Sequence, residues 1–119
     1  MSSVEVEIMG NDTGVLAGKV ARDLNLLQRH IAMLQVVAEH QPIGIIKLAE
    51  IMELPQHKVR YSLRLLEQDG LIRASKIGAT TTKKVETFLN DLTQNLAIMG
   101  GTVKEVQKAT ERLRKTIEK

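Results

Sequence analysis

The sequence predicts a mainly α-helical protein carrying one small β-hairpin, with helices continuing to its C-terminal end. Three observations point there. Apolar residues recur at spacings of three and four over most of the chain, as amphipathic helices require. The one sizeable exception, residues 71–82, reads as two short strands around Lys76-Ile77-Gly78. Only Tyr61 and Phe88 are aromatic among 119 residues that are 43% hydrophobic, so the core is aliphatic and suits helices of Leu, Ile, Val and Ala. A chain of this length accommodates one domain with a short appendage.

Val4-Glu5-Val6-Glu7-Ile8 alternates apolar and acidic residues and reads as a short strand, closed by a turn at residues 10–14. Residues 15–39 follow a helical pattern through Leu24, Leu27, Ile31, Leu34 and Val37. Asn25 and Gln28 have the spacing of a capping pair, so the helix is expected to restart near Asn25. Pro42-Ile43-Gly44 ends it. Residues 45–52 form a short helix with Ile45, Leu48, Ala49 and Met52 on one side. Pro55 is suited to the first position of the next helix, residues 55–68, whose inner face holds Val59, Ser62, Leu63 and Leu66. Asp69-Gly70 terminates that helix. After the hairpin, Thr82 is placed to cap a helix to Met99. Gly100-Gly101 favours a break or kink, with Thr102 and Glu105 as a capping box for a last helix, over the alternative of one continuous helix of about 35 residues.

Composition excludes several classes of chemistry. The absence of cysteine removes disulfide scaffolds, Cys-based zinc sites and thiol nucleophiles. His30, His40 and His57 lack metal-ligand spacing, and no phosphate-cradling Gly-rich loop, Ser nucleophile signature or paired carboxylates appear. The expectation is a cytoplasmic, non-enzymatic protein with no catalytic residues, metal or cofactor. No stretch nears the roughly 20 apolar residues that span a bilayer. The net charge of +3 is unevenly spread. Residues 1–54 hold four Lys/Arg against seven Asp/Glu, residues 55–84 seven against two, and residues 85–119 six against five. The basic middle suits a polyanion partner.

Two helices joined by a tight turn and followed by a hairpin is the winged helix-turn-helix order. Within residues 48–72, Leu48-Ala49, Leu54-Pro55, Val59, Leu63, Leu66 and Gly70-Leu71-Ile72 resemble the heart of winged-helix transcription regulators of prokaryotic and archaeal type. Thr81-Thr82 resembles that family's entry into the helix after the wing. The resemblance covers about residues 25–92. Val85 and Glu53 depart from it, each standing where the family commonly has Gly. It implies a winged helix-turn-helix domain at 25–92, an N-terminal extension at 1–24 and a C-terminal dimerisation segment at 93–119. Such a fold also serves as a protein-interaction module, so function must come from the surface.

That surface is distinctive. Counting 100° per residue from Val59 puts Arg60, Arg64, His57, Gln68 and Tyr61 at about 100°, 140°, 160°, 180° and 200°, opposite the buried stripe. Gln56 and Lys58 lie at the helix start. No carboxylate stands on the central strip, which suits arginine to guanine, glutamine to adenine, and Lys or Tyr to phosphate. The wing adds Arg73 and Lys76, placed for the minor groove or its phosphates. Competing readings are an Arg64–Glu67 ion pair, a Tyr61 ring covering the joint between helix and wing, and wing cations serving solubility.

From Val85 through Leu89, Leu92, Leu96, Met99, Val103, Val106, Thr110 and Leu113 to Ile117, spacings of four and three alternate unbroken, a heptad seam suited to a partner subunit. The overall expectation is a homodimer that reads duplex DNA and regulates transcription, its half-sites about 34 Å apart if palindromic. The alternative is a protein-interaction or architectural chromatin module. A small-molecule effector between dimerisation helices stays open.

Overall fold

The computed structural model describes residues 14–118. The strand expected at residues 4–8 lies outside them. The elements are α1 (Gly14–His40), α2 (Ile45–Met52), α3 (Gln56–Gln68), β1 (Ile72–Ser75), β2 (Gly78–Thr81) and α4 (Lys84–Ile117). The chain divides at Lys83/Lys84 into two units.

In the first unit, α1, α2 and α3 pack on one another and on the hairpin. The core comprises Met33, Leu34 and Val37 of α1, Leu48 and Met52 of α2, Val59 and Leu66 of α3, with Ile43, Leu54, Leu71, Ile72 and Ala79 from the connections and strands. The stripe expected on α1 holds at Leu34 and Val37 but is shifted before them. Leu24, Leu27 and Ile31 are only half-buried, while Arg29 and Met33 join Leu34 and Val37 on the most buried line. Nor does α1 restart at Asn25. It runs unbroken from Gly14, and Asn25 Oδ1 is buried with no hydrogen-bond partner among the described residues.

Two turns position α3. At the end of α2, Glu53 N donates to Glu50 O and Leu54 N to Ala49 O, a Schellman closure that needs Glu53 left-handed at φ 56°. Glycine normally fills such a position. Pro55 then lies just outside α3, at its N-cap with extended ψ, rather than inside the first turn as expected. At the far end Gly70 N bonds Glu67 O, and Leu71 N bonds Leu66 O, with Gly70 at φ 75°. That second Schellman closure aims the chain into β1.

The hairpin pairs Ile72 with Thr81 and Ser75 with Gly78 in antiparallel register. A third backbone segment joins it, unforeseen from sequence. Ile43 and Ala79 exchange both backbone bonds, at 2.8 and 3.2 Å. Gln41 Oε1 accepts from Thr81 N at 2.7 Å and from Thr81 Oγ1 at 3.1 Å. Gly78 makes the approach possible. At φ 128°, any Cβ there would lie 2.6 Å from Ile43 N.

The second unit is α4. It continues through Gly100-Gly101 without interruption, so the expected break is absent. Thr102 does not cap a new helix. Its hydroxyl donates to the Ile98 carbonyl four residues back, at 3.3 Å. Two interior glycines cost about 2 kcal/mol relative to alanine, which a 34-residue helix absorbs.

Candidate nucleic-acid interface

α3 is fixed from below by its apolar stripe and by one polar contact. Ser62 is 0% exposed and meets two α1 side chains. Arg29 Nε donates to Ser62 Oγ at 3.0 Å, and His30 Nδ1 lies 2.8 Å from the same oxygen. With the arginine donating into the serine, the serine hydrogen is free to donate to Nδ1 of a neutral imidazole. Burial, then the Arg29 charge, holds the His30 pKa below its usual value, which agrees with that tautomer.

The guanidinium of Arg29 also lies 6.0 Å from the Tyr61 ring centroid, and the His30 ring lies 6.1 Å from it. Tyr61 therefore leans on α1, not on the joint between helix and wing. It remains 43% exposed. The sequence pattern does not single out Arg29. The one signal for it is a serine on α3's buried stripe, which needs a polar partner.

The outer face of α3 carries Gln56, His57, Arg60, Tyr61 and Arg64, all exposed, with Lys58 partly so. Five of these, with Arg29, line a concavity of about 520 Å³: His57, Lys58, Arg60, Tyr61 and Arg64. Arg60 Nη2 donates to Gln56 Oε1 at 3.2 Å, so these two side chains are linked. Among the described residues neither Arg60 nor Arg64 forms an ion pair, and the Arg64–Glu67 pair is absent. The first turn of α3 has no acid to oppose the partial positive charge of the helix terminus.

A second groove, about 790 Å³, runs between α2, α3 and the wing. Gln56, Arg60 and Leu63 form one wall, and Ser75, Lys76 and Ile77 another. The structure thus brings Lys76 beside the outer face of α3. It does not bring Arg73 there. Arg73 is exposed on β1, one residue from groove-lining Ala74 and so on the opposite face of the hairpin. The wing turn is closed by Ser75 Oγ, which donates to Gly78 O at 2.9 Å and accepts from Ile77 N at 3.3 Å.

Residues 26–96 match the family described as the CggR N-terminal DNA binding domain. The chain belongs to that family. The matched stretch takes in most of α1, the whole α2–α3–hairpin array and the start of α4, so the winged helix expected from sequence is the fold present. The CggR N-terminal domain is a DNA-binding domain, and this member carries exposed cations on α3 and the wing. No curated protein matches the chain. No helix among the described residues is long and apolar enough to cross a membrane.

Proposed function

We propose that this protein reads a specific duplex sequence as a homodimer and regulates transcription. Residues 25–92 form the reading domain and 93–119 the dimerisation segment. The observation that carries this is the outer face of α3: three exposed cationic or imidazole groups, His57, Arg60 and Arg64, with Gln56 and Tyr61 and no acid between them. Arg60 and Arg64 suit the O6/N7 edge of guanine and Gln56 the N6/N7 edge of adenine. Lys58, Tyr61 and His57 suit phosphates along the groove, which fix register without reading sequence. Lys76, across the second groove, suits a flanking phosphate or the minor groove, and Arg73 a more distant phosphate. The seam on α4 supports dimerisation.

The test begins by selecting bound fragments from genomic DNA. Gel-shift titration on the selected duplex then compares Arg60→Ala and Arg64→Ala with wild type, circular dichroism confirming the fold. Each substitution is expected to cost about 1–3 kcal/mol of specific binding. Wild-type affinity in both removes α3 as the reader. An interaction module is the second reading, favoured by Ile46 and Ile77, both exposed on the groove beside the wing. Absence of salt-dependent retention on DNA would favour it.

A further inference from the structure

The homodimer reading leaves open how two copies of α4 meet. α4 presents most of its seam to solvent: Leu89, Leu96, Met99, Val103, Leu113 and Ile117 are between 41% and 72% exposed, and Val85 and Leu92 are half-buried. A heptad seam alone is compatible with parallel or antiparallel pairing. The positions flanking it decide. Ten residues flank the seam between 86 and 116, and only Glu86 and Arg114 carry charge. They sit at opposite ends of the helix.

We propose that α4 pairs with α4 of a second copy in antiparallel orientation, with the two-fold axis passing at Gly101. This rests on the homodimer reading above. In that register every seam layer is filled, and the overlap is the full length of the helix. Leu89 faces Leu113 of the partner subunit, Leu96 faces Val106 of the partner subunit, and Ile117 faces Val85 of the partner subunit. Thr110 faces Leu92 of the partner subunit, and its hydroxyl is already satisfied by the Val106 carbonyl at 2.9 Å. Glu86 then lies beside Arg114 of the partner subunit, twice by symmetry. In a parallel pair Arg114 would lie beside Ala109 of the partner subunit, and Glu86 would face a position before α4 begins.

Charge beyond the flanks agrees. Residues 84–101 carry Lys84 against Glu86 and Asp91, a net −1. Residues 102–118 carry Lys104, Lys108, Arg112, Arg114 and Lys115 against Glu105, Glu111 and Glu118, a net +2. Antiparallel pairing sets each acidic half against a basic one, and opposes the two helix dipoles. Gly100 gains a reason as well. A Cβ at Gly100 or Gly101 would meet nothing within 4 Å among the described residues, so their own chain does not require them. At a two-fold axis, Gly100 flanks its own copy and permits close approach at the centre. The start of each α4 then lies about 50 Å from the other.

The test uses the full chain, which has no cysteine of its own. Leu92→Cys and Thr110→Cys are made separately, and oxidised alone and mixed. Antiparallel pairing puts positions 92 and 110 in one core layer but separates each from its own copy by about 27 Å. The mixed disulfide should therefore exceed either symmetric one several-fold, while each variant alone stays uncrosslinked. Symmetric disulfides from each variant alone would establish parallel pairing and overturn the proposal, leaving the homodimer intact. A dimer by light scattering that gives no disulfide at either position would also overturn it. A wild-type monomer would remove the homodimer reading itself.

Discussion

Arg29 holds a guanidinium at 4% exposure on a helix whose surroundings are Met33, Leu34 and Val37. Burying a cation costs several kcal/mol unless donors are satisfied. Here the Ser62 hydroxyl accepts from it, and the Tyr61 ring lies beside it. The same serine engages His30, which makes the contact between α1 and α3 sensitive to acid. In the fold the His30 pKa lies below its unfolded value of about 6.5. The unfolded chain therefore binds more protons between the two values. Stability is full above about pH 6.5 and falls as pH drops below it through the lowered folded pKa. Urea midpoints at pH 7.5 and 5.5 should differ in that direction, and His30→Gln should shrink the difference. A wild-type midpoint that does not move would mean His30 is not held neutral. Nothing local in the sequence marks Arg29, because its partner stands 33 residues away.

The wing is the element whose sequence is easiest to read and whose attachment is hardest. Asp69-Gly70 and Gly78 are local turn chemistry, and they place both strands within a residue. The bridge to Ile43 has no period to detect, since a single residue pairs. Gly78→Ala tests that attachment. It adds a Cβ against the Ile43 backbone at a positive φ, and a loss of about 2–4 kcal/mol is expected in thermal or urea unfolding. Lys76→Ala tests the tip. Fold and stability should hold, while specific and nonspecific DNA weaken alike and the slope of log K against log salt falls by about 0.9. An unchanged slope would make Lys76 a solubility feature. Elsewhere local signals mislead. Asn25 and Gly100-Gly101 carry the right residues for a helix start and a helix break, yet the helices run through both.

At the scale of the whole molecule, no residue of the α4 seam belongs to the buried core. Leu113→Lys with Ile117→Lys places two charges on it and leaves residues 25–82 unchanged. Light scattering should show a monomer, circular dichroism a winged domain still folded, and affinity for the full operator a fall of about 100-fold or more from lost bivalency. A mutant that stays dimeric would move the partner surface to the start of α1, where Val15, Leu16 and Val20 are exposed. The seam's existence and phase are legible because the 3-4 alternation is long. The continuity of its helix is not, because two glycines cost less than the many backbone bonds on either side supply.

The attachment of the wing has a consequence for motion. A two-stranded hairpin alone is marginal in water and would be free to fray. This one shares backbone bonds with Ile43 and side-chain bonds with Gln41, in the connection that joins α1 to α2. Opening the wing therefore means releasing that connection, and with it Ile43 from the core. Wing and α1–α3 therefore open together, so the tip that carries Lys76 is held at the free energy of that unit.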